Sequence, residues 1–259
     1  MVAATIGGGA RTRAGSIYVW LAAACLAMAF GGFAETYWLQ LAPGTFVGGT
    51  PLMHLHAGLF FVWTLLLLSQ TWLAANGRLQ HHRAWGLAGL SLATAMVLVG
   101  LALANRSEAH YLAQGYGDRA RAFYVLPFGS IALFAAFFAA AVANISRPDW
   151  HKRLMIVATA SLLQAAAARV GFVLATGGGP GARPGLAPPV PPEFGIRGTA
   201  MVSVILLAGV IYDWRTRGRP HPAYLVGLGA LFAVAIGSHW FTATAGWRQF
   251  VDAMQAFGT

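Results

Sequence analysis

The sequence predicts an all-α integral membrane protein, a bundle of about seven transmembrane helices. Composition is the first observation: 58% of the 259 residues are hydrophobic and 9% are charged, whereas a soluble domain carries about 25% charged residues. The second observation is that the apolar residues form unbroken blocks of roughly the 20 residues that a helix needs to cross a bilayer. A transmembrane β-barrel would alternate apolar and polar residues instead, so helices are predicted.

Seven apolar blocks have this length. In chain order they lie at about residues 17–39, 52–75, 84–104, 121–145, 153–175, 197–213 and 223–245. The first block follows two arginines and runs past Phe30, so we interpret it as an uncleaved helix rather than a signal peptide. The sixth is the shortest and is bounded by Arg197 and the segment DWRTRGR. Small residues in blocks such as LAGLSLATA and LLQAAAAR predict close packing between the helices.

These blocks form a single transmembrane domain, residues 17–245, between an N-terminal tail, 1–16, and a C-terminal tail, 246–259. Prolines and glycines in the segment 177–195 predict a water-exposed loop, a candidate lid. The connections on the side of the N-terminus hold ten Arg or Lys residues, and those on the other side hold six. The positive-inside rule therefore predicts a cytoplasmic N-terminus and an outside C-terminus.

The net charge of +10 comes from basic residues that lie between apolar blocks. In a membrane protein such residues face lipid headgroups, so we predict anionic lipids at the inner face as partners, and no nucleic acid. Localisation in the plasma (inner) membrane of a bacterium follows. The single cysteine, Cys25, excludes an intrachain disulfide.

Ionisable residues within apolar blocks predict a polar site near the outer face. Glu35, Arg169 and His239 lie in the first, fifth and seventh blocks. Such residues are costly in a bilayer and usually face the bundle interior or a wet cavity. The other polar residues predicted at this end are the histidines His54, His56 and His110.

One of these histidines begins a polar and aromatic stripe along a helix. His56, Trp63 and Gln70 are spaced at i, i+7 and i+14 and share one face, whereas His54 lies about 200° from His56 and is predicted at the rim. Imidazole is a common ligand of haem iron and other transition metals. His56 and His239 are therefore candidate axial ligands of a haem b, with Trp63 and Gln70 lining its pocket. The alternative is that these are interfacial histidines that bond to headgroups or to neighbouring helices.

A second histidine group is predicted at the inner face. The segments LQHHRAWGLAGLS and DWHKRLMIVATAS each place a histidine two residues before an arginine and ten before a serine, so that His81 aligns with His151. This pattern indicates a faint internal repeat of two helical hairpins, or a coincidence at a basic, lipid-anchoring face. In the sharper interpretation, His82 or His81 binds a second haem with His151, and Arg169 pairs with a propionate of the outer haem.

Several classes are excluded. An opsin needs a lysine in its last helix, and the only lysine here is Lys152. A zinc protease of the common type needs the motif His-Glu-x-x-His, which this sequence does not contain. A haem-binding electron-transfer protein, a proton- or solute-coupled transporter and a non-catalytic subunit or homo-oligomer remain open. Imidazole also serves copper and zinc, so the metal is open as well.

Two segments carry a family resemblance. HLHAGLFFVWTLLLLSQ with HHRAWGLAG, and then HKRLMIVATASLLQAAAAR, resemble a group of uncharacterised bacterial multipass membrane proteins with similar His-Arg pairs at the start of their spans. The resemblance covers residues 54–169 and implies seven helices. Four-helix b-type cytochromes are similar in having histidines near both faces.

Overall fold

The computed structural model describes residues 8–179, 188–190 and 194–256, and within these the chain forms helices, turns and loops without a strand. The predicted all-α fold is confirmed. The elements are α1 (Gly8–Gly32), a π-helical turn (Ala34–Trp38), α2 (Leu39–Leu41), α3 (Pro51–Ala75), α4 (Leu79–Ala113), α5 (Gly117–Phe123), α6 (Val125–Ala143), α7 (Pro148–Leu162), α8 (Gln164–Thr176), α9 (Phe194–Arg217), α10 (Pro222–Phe241) and α11 (Ala245–Ala256). Most of the predicted loop 177–195 lies outside the described residues.

Five helical segments are long and apolar enough to cross a membrane. Four are the single helices α3, α4, α9 and α10, and the fifth is α5 continued by α6. Two further pairs pass the same test only when each pair is counted as one span. In the first pair, Ile17–Gly32 and Ala34–Leu41 meet at 43°, and in the second, Pro148–Leu162 and Gln164–Ala175 meet at 40°. The chain is thus a multipass membrane protein with five to seven spans among its described residues.

Two elements differ in extent from the sequence prediction. Helix α4 has 35 residues and is about 52 Å long. It is therefore longer than the predicted span 84–104, whose length matches the roughly 30 Å hydrocarbon core of a bilayer. Its polar last turns continue the backbone hydrogen bonding beyond the apolar block. Helix α11 occupies most of the segment predicted as a C-terminal tail.

Small residues allow the helices to approach closely, as predicted. A Cβ atom at Gly32 in α1 would lie 2.5 Å from the carbonyl oxygen of Ala166 in α8. A Cβ atom at Gly227 in α10 would lie 2.5 Å from the side chain of Val157 in α7. Neither site can accept a larger residue unless a helix moves.

The outside of the bundle is apolar. Leu87, Leu98 and Leu174 are 72%, 64% and 80% exposed, while Trp63 and Met96 are buried in the core. A soluble protein of this size would not expose so many large apolar side chains. The surface is therefore that of a protein in contact with lipid.

Candidate functional site

The first turns of α7 carry a buried ion pair. Arg153 and Asp213 of α9 are 2% and 0% exposed. The Arg153 Nε atom donates to one carboxylate oxygen of Asp213 at 2.8 Å and Nη2 donates to the other. The remaining nitrogen, Nη1, donates to the backbone and side-chain oxygens of Asp149 at 2.8 and 3.1 Å. The pair is bidentate, the geometry in which a buried guanidinium is best stabilised.

Two tyrosines enclose this ion pair. The Arg153 guanidinium lies 5.6 Å from the ring centre of Tyr18 in α1, and the Lys152 ammonium lies 4.8 Å from the same ring. Tyr224 of α10 is buried, and a Cβ atom at Gly209 in α9 would lie 2.5 Å from its ring. Gly209 thus makes room for the tyrosine beside the charged cluster.

His221 joins the start of α10 to the same end of the bundle. Its ring packs edge-on against Trp150 at 4.7 Å, and its Nδ1 atom accepts a hydrogen bond from the backbone N–H of Ala223 at 3.2 Å. Burial lowers the pKa of His221 below its ordinary value, and the charges of Arg153 and Arg217 act in the same direction. The ring is therefore a neutral cap of α10.

The predicted inner histidines lie together in the structure. The rings of His82 in α4 and His151 in α7 are 6.4 Å apart between centroids, with their planes at 88°. The Nδ1 atom of His82 lies 3.3 Å from the carbonyl oxygen of Gln70, and that of His151 lies 2.9 Å from the carbonyl oxygen of Ala141. Since a carbonyl only accepts, both Nδ1 atoms carry a proton, and Nε2 is the nitrogen that has a lone pair when the ring is neutral.

These contacts repeat in two helical hairpins. In each, the histidine in the first turn of the second helix is bound to a carbonyl near the end of the first helix: α3–α4 holds His82 and α6–α7 holds His151. The counterpart of His151 in the structure is therefore His82, one residue after the exposed His81 that the sequence pattern aligned with it. The side-chain amide of Gln70 is buried, and neither of its atoms has a hydrogen-bond partner among the described residues. Such an orphaned amide is typical of a site that takes a further polar group.

The outer polar residues form a looser arrangement. The imidazole of His56 packs against Phe60 at 4.0 Å, and its Nδ1 atom is buried without a partner in the described chain. The guanidinium of Arg169 lies 4.2 Å from the ring centre of Phe33 and donates to the carbonyl of Ala165 at 3.1 Å. Arg169 lies within electrostatic range of His56.

Glu35 lies in the π-helical turn at this end. It lines a cavity of about 130 Å³ beside α8, and a Cβ atom at Gly178 would lie 3.5 Å from its carboxylate. The backbone carbonyl of Glu35 accepts a hydrogen bond from Gln40 at 2.7 Å. His54, predicted at the rim, is bonded through Nδ1 to the hydroxyl of Tyr37 at 2.9 Å.

The other predicted residues of this end are separate from His56. His239 is exposed on α10, and no ring contact joins it to His56 within the described residues. His110 is exposed and bonded to Gln114 at 3.0 Å. Trp63 belongs to the core, where its indole N–H donates to the hydroxyl of Thr159 at 3.0 Å and so links α3 to α7.

A buried carboxyl that the sequence analysis did not single out is Glu108 in α4. It is 1% exposed, and neither carboxyl oxygen has a hydrogen-bond partner among the described residues. Arg121 and Asp252 lie within electrostatic range of Glu108 and bind each other at 2.9 Å. An acidic residue four positions after Ala104, near the end of an apolar block, was the available signal.

The described residues contain no group of three or more His, Cys, Asp or Glu side chains that could hold a metal ion. Comparison of the chain with protein-family models, curated proteins and solved structures finds no match. The fold and its apolar surface define a class, the multipass helical membrane proteins. Within that class, any more particular assignment depends on the paired histidines and the charged cluster of α7.

Proposed function

We propose that the chain is a membrane redox protein that binds a haem b between His82 and His151. The observation that carries this proposal is the approach of the two rings to 6.4 Å, each with its Nδ1 atom held by a backbone carbonyl. Histidines that ligate metals commonly donate their other N–H to such an acceptor, which sets the tautomer and the ring orientation.

The separation of the rings suits one metal between them. With metal–nitrogen bonds of about 2.0–2.1 Å on opposite sides of an ion, the two ring centroids stand roughly 6 Å apart. The observed 6.4 Å agrees with this value. Two imidazoles that would hold one metal ion between them can have any angle between their planes, so the 88° between the rings of His82 and His151 is compatible with this role.

The number of ligands favours haem over a bare ion. A structural zinc site takes four protein ligands and a catalytic one takes three, and no such cluster exists in the described residues. Haem iron needs only the two axial positions from the protein, because the porphyrin fills the others. When bound, haem would supply one-electron chemistry, and His82 and His151 would hold the iron and set its potential.

The outer pair remains a prediction for a second site. The electrostatic interaction between His56 and Arg169 supports a role for both residues at one polar site. The exposed position of His239 gives it no contact with that pocket among the described residues, so we place the inner pair first.

We also propose that the arginine-rich end, with His82 and His151, faces the cytoplasm of a bacterial cell across the plasma membrane. The excess of basic residues in these connections supports this orientation. A reporter enzyme active only outside the cytoplasm, fused to the C-terminus, tests it. Activity is expected, and an inactive reporter on a stably inserted chain would overturn the orientation.

The experiment for the haem is an absorption spectrum of the protein purified in detergent, oxidised and then reduced with dithionite, after expression with ample haem. A Soret band that sharpens on reduction, with split α and β bands, is expected. His82→Ala and His151→Ala should each abolish this low-spin spectrum. His81→Ala, in the exposed neighbour, is the matched control and should keep it.

Each other outcome has a defined meaning. A featureless spectrum from folded protein would refute the redox proposal. If His56→Ala and His239→Ala remove the haem while His82→Ala and His151→Ala retain it, the ligands are the outer pair and the inner assignment is wrong.

A further inference from the structure

A basic cavity lies between the first turns of α7 and α10, apart from the paired histidines. Its volume is about 490 Å³, and its lining includes Arg147, Arg217, Arg219, Trp150 and His221. For comparison, a water molecule takes about 30 Å³ in the liquid, so the cavity has room for a polar group much larger than water.

The charge of this lining is not balanced within the protein. Arg217 shares Asp149 with Lys152 and Arg153, so the one carboxylate of the lining is already paired with three cations. Neither Arg147 nor Arg219 makes an ion pair or a side-chain hydrogen bond with any described residue. The cavity therefore carries excess positive charge.

The lining also presents hydrogen-bond donors that have no acceptor. His221 is 7% exposed and uses Nδ1 as an acceptor, so its proton is on Nε2, which has no partner in the described chain. Helices α7 and α10 both begin at the cavity, at Pro148 and Pro222. The positive end of each helix dipole is at its N-terminus, so both helices add to the attraction of an anion.

We propose that this cavity binds a phosphate-bearing ligand. Arginine forks match the oxygen geometry of phosphate, and the Nε2–H group of His221, a residue in the cavity lining, adds a neutral donor. Large apolar side chains are exposed a few residues before two of the lining arginines, with Ile145 at 69% ahead of Arg147 and Trp214 at 64% ahead of Arg217. The phosphate belongs either to a lipid headgroup, whose acyl chains would lie along these residues, or to a soluble ligand.

The test is a binding titration of the full chain in a zwitterionic detergent at low salt, followed by native mass spectrometry. The probes are a short-chain phosphatidylglycerol, the matching phosphatidylcholine and inorganic phosphate. The variant is the double substitution Arg147→Gln with Arg219→Gln. Its matched control, Arg83→Gln with Arg215→Gln, removes the same charge from exposed arginines at the same end of the bundle that do not line the cavity.

The expected result is tighter binding of phosphatidylglycerol than of phosphatidylcholine. The cavity variant should weaken this binding about 25-fold, at roughly fivefold per arginine. The control should weaken it less than threefold. If inorganic phosphate displaces phosphatidylglycerol at equal concentration, the ligand is a soluble phosphate; if it does not, the ligand is a lipid. Equal losses in both double variants, or equal binding of both lipids, would overturn the proposal without affecting the haem assignment.

Discussion

Asp213→Asn tests whether the buried ion pair holds the bundle together. The substitution keeps the shape of the side chain but leaves the Arg153 guanidinium, 2% exposed, without its nearest negative charge. Removing one partner of a buried pair costs about 3–5 kcal/mol, because the other charge stays desolvated. Since asparagine retains one acceptor oxygen and Asp149 still binds Nη1, we expect a loss near the lower limit, about 3 kcal/mol.

The assay is thermal unfolding in detergent micelles, followed by far-ultraviolet circular dichroism. A loss of about 3 kcal/mol corresponds to a fall in Tm of roughly 6–12 °C for a chain of this size. The matched control is Asp118→Asn, because Asp118 is 67% exposed and pairs with Arg248 at 3.0 Å. An exposed pair contributes at most about 1 kcal/mol. If the two substitutions lower Tm equally, the argument from burial is wrong.

Three further substitutions or conditions test the surrounding structure. Gly209→Ala should destabilise the fold by about 1–3 kcal/mol, because the added methyl group would overlap the ring of Tyr224. Gly86→Ala is the control, because the space around its Cβ position is open. Equal melting temperatures of the two variants would contradict the prediction. Burial lowers the pKa of His221, so the unfolded chain binds the proton more readily than the folded one. The stability should therefore be full above about pH 6.5 and should fall below it. His221→Gln should flatten this part of the plot of Tm against pH. Trp247→Ala should weaken the docking of α11 by about 1–3 kcal/mol, seen as faster proteolysis near the C-terminus with an unchanged global Tm.

Much of the fold follows from block composition, because lipid requires long apolar helices. The bends within the first and fifth blocks do not follow from it, since the composition is continuous through Phe33 and Leu163, where the helices break. Helix α11 was within reach of sequence reasoning. Trp247, Phe250 and Met254 recur on one helical face and pack together against the bundle.

The site was predicted less completely. His82 and His151 were expected at one end because each lies at the start of an apolar block, and the structure brings their rings together. The ion pair between Arg153 and Asp213 could not be predicted from the sequence. Asp213 lies in the segment DWRTRGR, which marked a span boundary, and only knowledge that α7 packs on α9 makes the two residues neighbours.

The first turns of α7 make polar or aromatic contacts with several other parts of the bundle. Five consecutive residues of its first turns contact four other parts of the bundle, because α7 packs against helices on several sides. Asp149 binds the end of α9, Trp150 meets the residue before α10, His151 meets α4, Lys152 meets α1, and Arg153 binds the interior of α9. Successive side chains of a helix point about 100° apart, so five consecutive residues reach all sides of α7. The polar start of this span therefore connects several helices, and the proposed haem and phosphate sites lie on two of its sides.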